Sequence, residues 1–417
     1  MTKIEIKDIG PIANVNFELN KINILMGPQS SGKSTIAKII SFCQWAEKRY
    51  LIDGTFNYDI KEQLLEFHRL NENYFNEDSY FSYVSDFVTI SYKGKKLKKS
   101  FRKKKTAKIY LKTKNIYIPS VRNFVSVIPN LSKYKETNDN IMSFVYDWYT
   151  AKRIFNKTNN LSVLNLDVKF YARPDSDVDI LVLKNKKEIQ LREGSSGLQS
   201  VIPLIVLIEY LTDYIYTRHI SNSVDERDAL KDYLLNNLTR IIDFSKHADL
   251  NNTNDLINLE LDNDDLKKIF NSYRKAKALE NYHFTNFIIE EPEQNLFPTT
   301  QRDLVNYLFN KMAQDRQHSL LLTTHSPYIL YAINNCLMGY NVKDNIANKE
   351  ELEDIQNESS WTNPDLVSIW QVKNGQLVSV KDDMTKTVTK HYFNEITKDI
   401  MDEYYEMLNY FEYDSKD

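Results

Sequence analysis

The sequence predicts an α/β fold: a strand-helix core, an antiparallel β-subdomain ahead of it and a helical insertion within it. Three stretches carry that prediction. Gly27–Thr35 fits Gly-x4-Gly-Lys-Ser/Thr without a departure, between a short apolar strand pattern at Lys21–Met26 and an apolar helix opening at Ile36. Phe284–Ile289 reads as a buried strand that ends in Glu290 and Glu291. Leu320–Thr324 reads as another, ending in His325 before a helix.

The first stretch dictates a chemistry. Backbone N–H groups from Ser30 to Lys33, at the positive end of a helix, suit a β-phosphate, Lys33 reaches the β- and γ-phosphates, and Ser34 suits Mg²⁺. Paired carboxylates at a strand end suit the rest: Glu290 beside the metal's waters, and Glu291 to orient and deprotonate the attacking water. His325 is placed to sense the γ-phosphate.

Composition sets the outer bounds. At 417 residues the chain exceeds the usual single core. Lys and Arg total 54 against 57 Asp and Glu, a formal charge of -3, which excludes a protein basic throughout. Cys43 and Cys336 each sit in an apolar helical pattern, which argues against a disulfide frame or zinc site. The amino terminus lacks the apolar stretch of a signal peptide, and the longest apolar run, Val201–Ile208, is too short to span a bilayer, so a cytoplasmic protein with no membrane partner is expected.

In chain order, alternation on either side of Gly10 and Pro11 predicts a hairpin before the loop. A tyrosine- and acid-rich stretch from Tyr58 to Tyr83 reads as a helical arm or lid. Phe87–Tyr92 and Lys108–Leu111 read as strands of a hairpin whose tip carries the basic run Lys93–Lys105. That run has two readings: a grip on nucleic-acid phosphates, or a solvated loop that keeps an edge strand from pairing. Asn115–Ile118 is a strand leading to Arg122, which is either a phosphate or lid contact or a structural ion-pair residue. Residues 132 to 160 have a helical pattern, and Val163–Val168, Ile180–Leu183 and Ile189–Leu191 read as strands. After Glu193–Ser200 comes an apolar helix, with Pro203 expected in its first turn. Leu230–Phe244 and Asp264–Leu279 read as helices of an insertion. A hairpin turning at Asn374 and Gly375 and a helix from Tyr392 to Tyr410 close the chain. Its Leu408, Tyr410 and Phe411 serve a partner or dock on the core.

Taken together, these motifs resemble the ABC-class ATPases. More narrowly, the chain is similar to SMC-like, AAA-labelled ATP-binding proteins of bacterial antiphage defence loci: the ATPase subunits of Septu, PARIS and retron systems and the ATPase half of overcoming-lysogenization-defect nucleases. Gly27–Thr35 stands as Walker A, Ser195–Gln199 as the signature, Phe287–Glu291 with Pro292–Pro298 as Walker B and D-loop, and Thr324–Pro327 as the switch. The resemblance implies an ABC-type P-loop NTPase core in two parts, 1–208 and 283–340, with the insertion at 209–282 and a tail at 341–417.

The resemblance also implies ATP and Mg²⁺ bound by Gly27, Ser30, Ser31, Gly32, Lys33, Ser34 and Thr35. Two subunits would sandwich two ATP molecules, Ser196 and Gly197 touching the γ-phosphate held by the opposite copy. Glu291 would be the general base, with Lys33 and His325 completing the catalytic set and Ser34 and Glu290 on the metal. It further implies a homodimer or higher homo-oligomer, slow hydrolysis, and an effector encoded nearby. Leu198 stands where transporters have a second glycine, Glu290 replaces the usual aspartate, and no glutamine is assignable to the lid loop, for which Arg122 is the candidate. The rival functions are a DNA-binding repair ATPase acting through Lys93–Lys105, and a nuclease, for which only Asp382 and Asp383 follow His325 as a paired acid.

Overall fold

The computed structural model describes residues 2–128, 139–173, 177–217, 263–346, 357–389 and 391–411, with the backbone alone at 263–270 and 273. The predicted α/β fold is present. Its sheet combines β1 (Thr2–Ile9), β2 (Ile12–Leu19), β3 (Ile22–Met26), β4 (Phe75–Val84), β5 (Val88–Lys93), β6 (Lys98–Lys103) and β7 (Thr113–Ile118) with three later strands and their hairpin mate. A separate four-stranded sheet holds β8 (Leu161–Ser162), β9 (Lys169–Arg173), β10 (Val178–Val182) and β11 (Glu188–Gln190). The later strands are β12 (Phe284–Glu290), β13 (Ser319–Thr324), β14 (Val367–Lys373) and β15 (Gln376–Ser379). The large sheet has 11 strands in the order β6-β5-β4-β1-β2-β15-β14-β3-β13-β12-β7.

Neighbours β14, β3, β13, β12 and β7 pair in parallel, while β6 to β2 form an antiparallel half. The two halves are one continuous sheet, joined at Gln376 and Asn14. The parallel strands are apolar on both faces because both are covered. Leu25, Tyr117, Ile288 and Leu321 face α1 (Lys33–Asp53) and the antiparallel strands. Ile24, Ile116, Ile289 and Leu322 face the other core. That core contains α3 (Asn140–Lys152), α4 (Ser196–Glu209), α6 (Pro298–Ala313) and α7 (Pro327–Val342), with the short α2 (Phe124–Val127) beside α4. α5 (Asn263–Glu280) precedes β12, and α8 (Tyr392–Leu408) closes the described chain.

Several expectations are corrected. Tyr58–Tyr83 is helical only at its start: after a π-helix at Lys61–Phe67 and a 3-10 turn at Glu72–Tyr74, β4 inserts beside β1 with Phe75, Ser79, Phe81 and Tyr83 turned inward. The partner of β5 is β6, not Lys108–Leu111, so much of the basic run lies along an edge strand rather than at a hairpin tip. Val163–Val168 is a turn, closed by a Val163 N–H bond to the Val168 carbonyl at 2.9 Å. Pro203 stands two turns inside α4, not in its first turn. α4 also continues as helix to Thr217, so that Ser196–Thr217 is long and apolar enough to cross a membrane by length and composition. Most of its residues are buried in the core of the protein. The helix read at Leu230–Phe244 lies outside the described residues.

Candidate nucleotide site

Strand register brings the motifs to one level. Glu290 of β12 pairs with Thr323 of β13, and Thr324 pairs with Met26 of β3, so three parallel strands end together where the Gly27–Thr35 loop begins. Carboxyl ends of parallel strands are where α/β sheets hold ligands.

The loop closes through left-handed backbone at Ser30 (φ 57°) and Gly32 (φ 106°). A Cβ on Gly32 would lie 2.3 Å from Ile12 Cδ1 of the hairpin before the loop, and at φ 106° any side chain would be strained, so the position favours glycine. α1 then starts at Lys33 with no side-chain cap and no acid in its first turn, which leaves its N–H groups for an anion. Lys33 is buried, and its ammonium donates to the Gly27 and Pro28 carbonyls at 2.9 and 2.7 Å. Burial lowers it to about 8, against the opposing pull of Glu291, Glu293 and Glu290. Ser34 is exposed and Thr35 buried.

Glu290 is buried, and its Oε1 is without a hydrogen-bond partner. The Tyr117 hydroxyl beside it is driven upward by burial and by that carboxylate. A buried carboxylate with one oxygen outside hydrogen-bond geometry among the described residues, although the Tyr117 hydroxyl is close, fits, with the Ser34 hydroxyl at the start of α1, a hard divalent cation that keeps several of its waters. Glu291 turns out of the strand at φ 44°, and its Oε1 lies 3.5 Å from His325 Nε2. The His325 hydrogen bond, then the charges of His325, Lys33 and Arg122, hold the Glu291 carboxyl below its ordinary value against burial.

Three supporting residues had no assigned role in the sequence. Glu293 Oε1 accepts from the His325 N–H at 2.6 Å and the Thr324 hydroxyl at 2.9 Å, fixing the histidine's position. Its place two residues after Glu291 was the available signal. Gln301 joins the Leu296 carbonyl to the Ser326 hydroxyl. Asn295 Nδ2 donates to Ser200 Oγ at 2.9 Å.

Arg122 is fully buried and is neither a phosphate nor a lid contact. Its Nε donates to the Ser200 carbonyl, Nη1 to those of Pro119 and Glu290, and Nη2 to those of Glu291 and Pro292. It therefore binds the carboxylate turn to α4. Ser196 is exposed at the start of α4, capped by Ser195, whose side chain accepts from the Leu198 N–H. Gly197 lies against Asn295: an added Cβ would meet the Asn295 carbonyl at 2.9 Å. The structure thus gathers Lys33, Glu290, Glu291 and His325, and sets Ser196 and Gly197 beside the turn that follows them.

No protein-family model and no curated protein matches the chain. Among solved structures, the SMC head domain from Thermotoga maritima is similar over 91% of this chain and 98% of its own, at 10% identity and a TM-score of 0.38. An Smc head domain with an extended coiled coil, bound to the C-terminal domain of ScpA derived from Pyrococcus furiosus, aligns over 96% and 99%, at 8% identity and 0.42. An ATP-binding cassette of an ABC transporter in its ADP conformation aligns over 93% of each chain, at 12% identity and 0.27. At such low identities and TM-scores these neighbours carry no functional inference.

Proposed function

We propose that this chain is an ABC-class ATPase that binds ATP with Mg²⁺, closes into a nucleotide-dependent dimer and hydrolyses ATP slowly to control a partner effector in cytoplasmic antiphage defence. The observation that carries the ATPase reading is the meeting of Lys33, Glu290, Glu291 and His325 at the ends of adjacent parallel strands, with Glu291 3.5 Å from His325. Lys33 and the loop amides, with Gly27, Ser30, Ser31, Gly32 and Thr35 shaping the cradle, take the phosphates. Ser34 and Glu290 hold the metal's shell, Glu291 accepts the water's proton, and His325 contacts the γ-phosphate. Ser196 and Gly197 complete the pocket of the opposite copy. The defence role rests on the motif resemblance alone. An effector is supported by α8, which exposes Ile396, Ile400, Tyr404 and Leu408 beside Asp399, Asp402 and Glu406, a face suited to a basic-rimmed apolar groove.

Glu291→Gln tests the base. Turnover should fall by about a hundredfold or more while ATP still binds and ATP-bound dimers accumulate on size exclusion. Unchanged turnover would reject Glu291.

A DNA-binding repair ATPase is the second reading, favoured by the exposed cations of the β6 edge, Lys98, Arg102 and Lys103. Against it, Lys99 donates to the Phe56 carbonyl, Lys104 to that of Ser85, and Lys108 pairs with Asp86. Glutamine at 98, 102 and 103 should flatten the salt dependence of duplex binding by about 0.9 for each phosphate no longer neutralised, while an unaltered slope would remove the reading. The nuclease reading is weaker still. Asp382 is spent on a turn, accepting from Met384 and Thr385, and no group of three metal-ligating side chains occurs among the described residues.

A further inference from the structure

A cavity of about 630 Å³ lies at the other end of the parallel strands, on the α1 side, reaching Asn23 near the start of β3, Phe284 and Asn286 at the start of β12, and Ser319 at the start of β13. α1 supplies part of its wall through Ile40, Gln44 and Glu47, roughly 20 Å along the helix axis from Lys33 at its far end. That volume is the size of an ordinary small-molecule site.

The cavity's one lining ammonium among the described residues, Lys108, is taken up by Asp86 at 2.5 Å, which leaves the α1 wall with acceptors in excess. Glu47 is buried, and its two oxygens accept from hydroxyls, Ser85 on Oε1 and Tyr83 on Oε2 at 2.8 Å. Each carboxylate oxygen retains capacity for a further donor. Burial raises its proton affinity most, and the nearby charge that acts on it is a second carboxylate, Asp86, which raises it further. Gln44 Oε1 is also buried, with no hydrogen-bond partner among the described residues. Aliphatic side chains such as Ile109 and Leu321 and polar ones such as Asn286 make up much of the remaining wall, with the rings of Phe87, Tyr110 and Phe284 lining the same space as Tyr83.

We propose that this cavity binds a planar organic cation, an aromatic amidinium or guanidinium. Its N–H groups would satisfy Glu47 and Gln44, and its ring would lie among the aromatic side chains. The proposal does not depend on ATP hydrolysis. Because Gln44 and Glu47 belong to the helix that begins with Lys33 and Ser34, occupancy and nucleotide binding act on one rigid element, and any coupling between them is reciprocal.

The test uses the full chain with benzamidine as probe and benzamide as its neutral counterpart, followed by calorimetry and ligand-observed NMR. Saturable benzamidine binding with Kd at or below about 1 mM is expected, with benzamide at least tenfold weaker. Glu47→Gln should weaken benzamidine at least tenfold, and Gln44→Trp, which fills the cavity from α1, should abolish binding. If Glu47→Gln does not fold, Gln44→Trp alone decides. No saturable binding, equal affinity for benzamide, or unchanged affinity in the folded variants would overturn the proposal. So would saturable binding that survives both Glu47→Gln and Gln44→Trp and is displaced by saturating ATP, which puts the probe in the nucleotide pocket.

Discussion

Burial sets the working state of the two residues on which nucleotide chemistry most depends. Lys33 is pushed down to about 8, so the free protein holds it as a cation at neutral pH but loses that charge within the range of ordinary buffers. The cationic form binds phosphate. Apparent ATP affinity should therefore be level below pH about 8 and fall by up to about tenfold for each further pH unit, which titration calorimetry at several pH values would show. A flat profile to pH 10 would mean that burial does not lower Lys33 or that Lys33 is not a phosphate ligand, and Lys33→Ala, which should abolish ATP binding only if it is a ligand, separates the two. Glu291 is displaced in the direction its role needs: it stays ionised at neutral pH, and the stability it contributes is present above its unfolded value and lost as pH falls through the lower folded one. These residues were legible in the sequence because their spacing is fixed by chemistry. Arg122 was not, since a strand-end arginine gives no sign of whether it meets phosphate or backbone; five carbonyls around one buried guanidinium supply the answer.

Among the elements, α4 shows how a helix survives a proline. Pro203 has no N–H for the Gln199 carbonyl one turn back, and that carbonyl accepts from Ser126 Oγ of α2 at 3.0 Å instead. Ser126→Ala should cost about 1 kcal/mol in urea unfolding, because a partly buried acceptor loses its donor. Pro203→Ala restores the helical donor, so the double variant should recover most of that loss, a coupling that a double-mutant cycle measures directly. Additive losses would mean that Ser126 acts elsewhere. Reading Pro203 as a first-turn residue failed because the helix start was taken from the apolar run at Val201, whereas the cap is Ser195. A similar error misplaced β4, whose polar residues Asn76, Glu77 and Asp78 hide the alternation that resumes at Ser79. Where strands are buried on both faces, as at β3, β12 and β13, the apolar runs were unambiguous, and the structure keeps them nearly residue for residue.

At the scale of the molecule, Ser196 has no side-chain partner among the described residues and stands exposed at the first turn of α4, which carries no acid, beside the carboxylate turn. Dimer closure would give it one, and the pocket would then need Lys33 from one copy and Ser196 from the other. Ser196→Glu suits a test because an acid in the first turn favours α4 while repelling a γ-phosphate, so the variant folds but cannot seal the facing nucleotide. Lys33→Ala and Ser196→Glu should each be inactive alone. Mixed in equal amounts, half of the dimers are heterodimers, each with one intact pocket and one doubly broken, so independent pockets restore about a quarter of the parent turnover. Differently tagged copies should also co-purify only with ATP present. Recovery with ATP-dependent capture requires a pocket shared between copies, because neither chain has a complete one; a mixture as inactive as its components would mean that each chain completes its own site and that Ser196 matters only to its own helix.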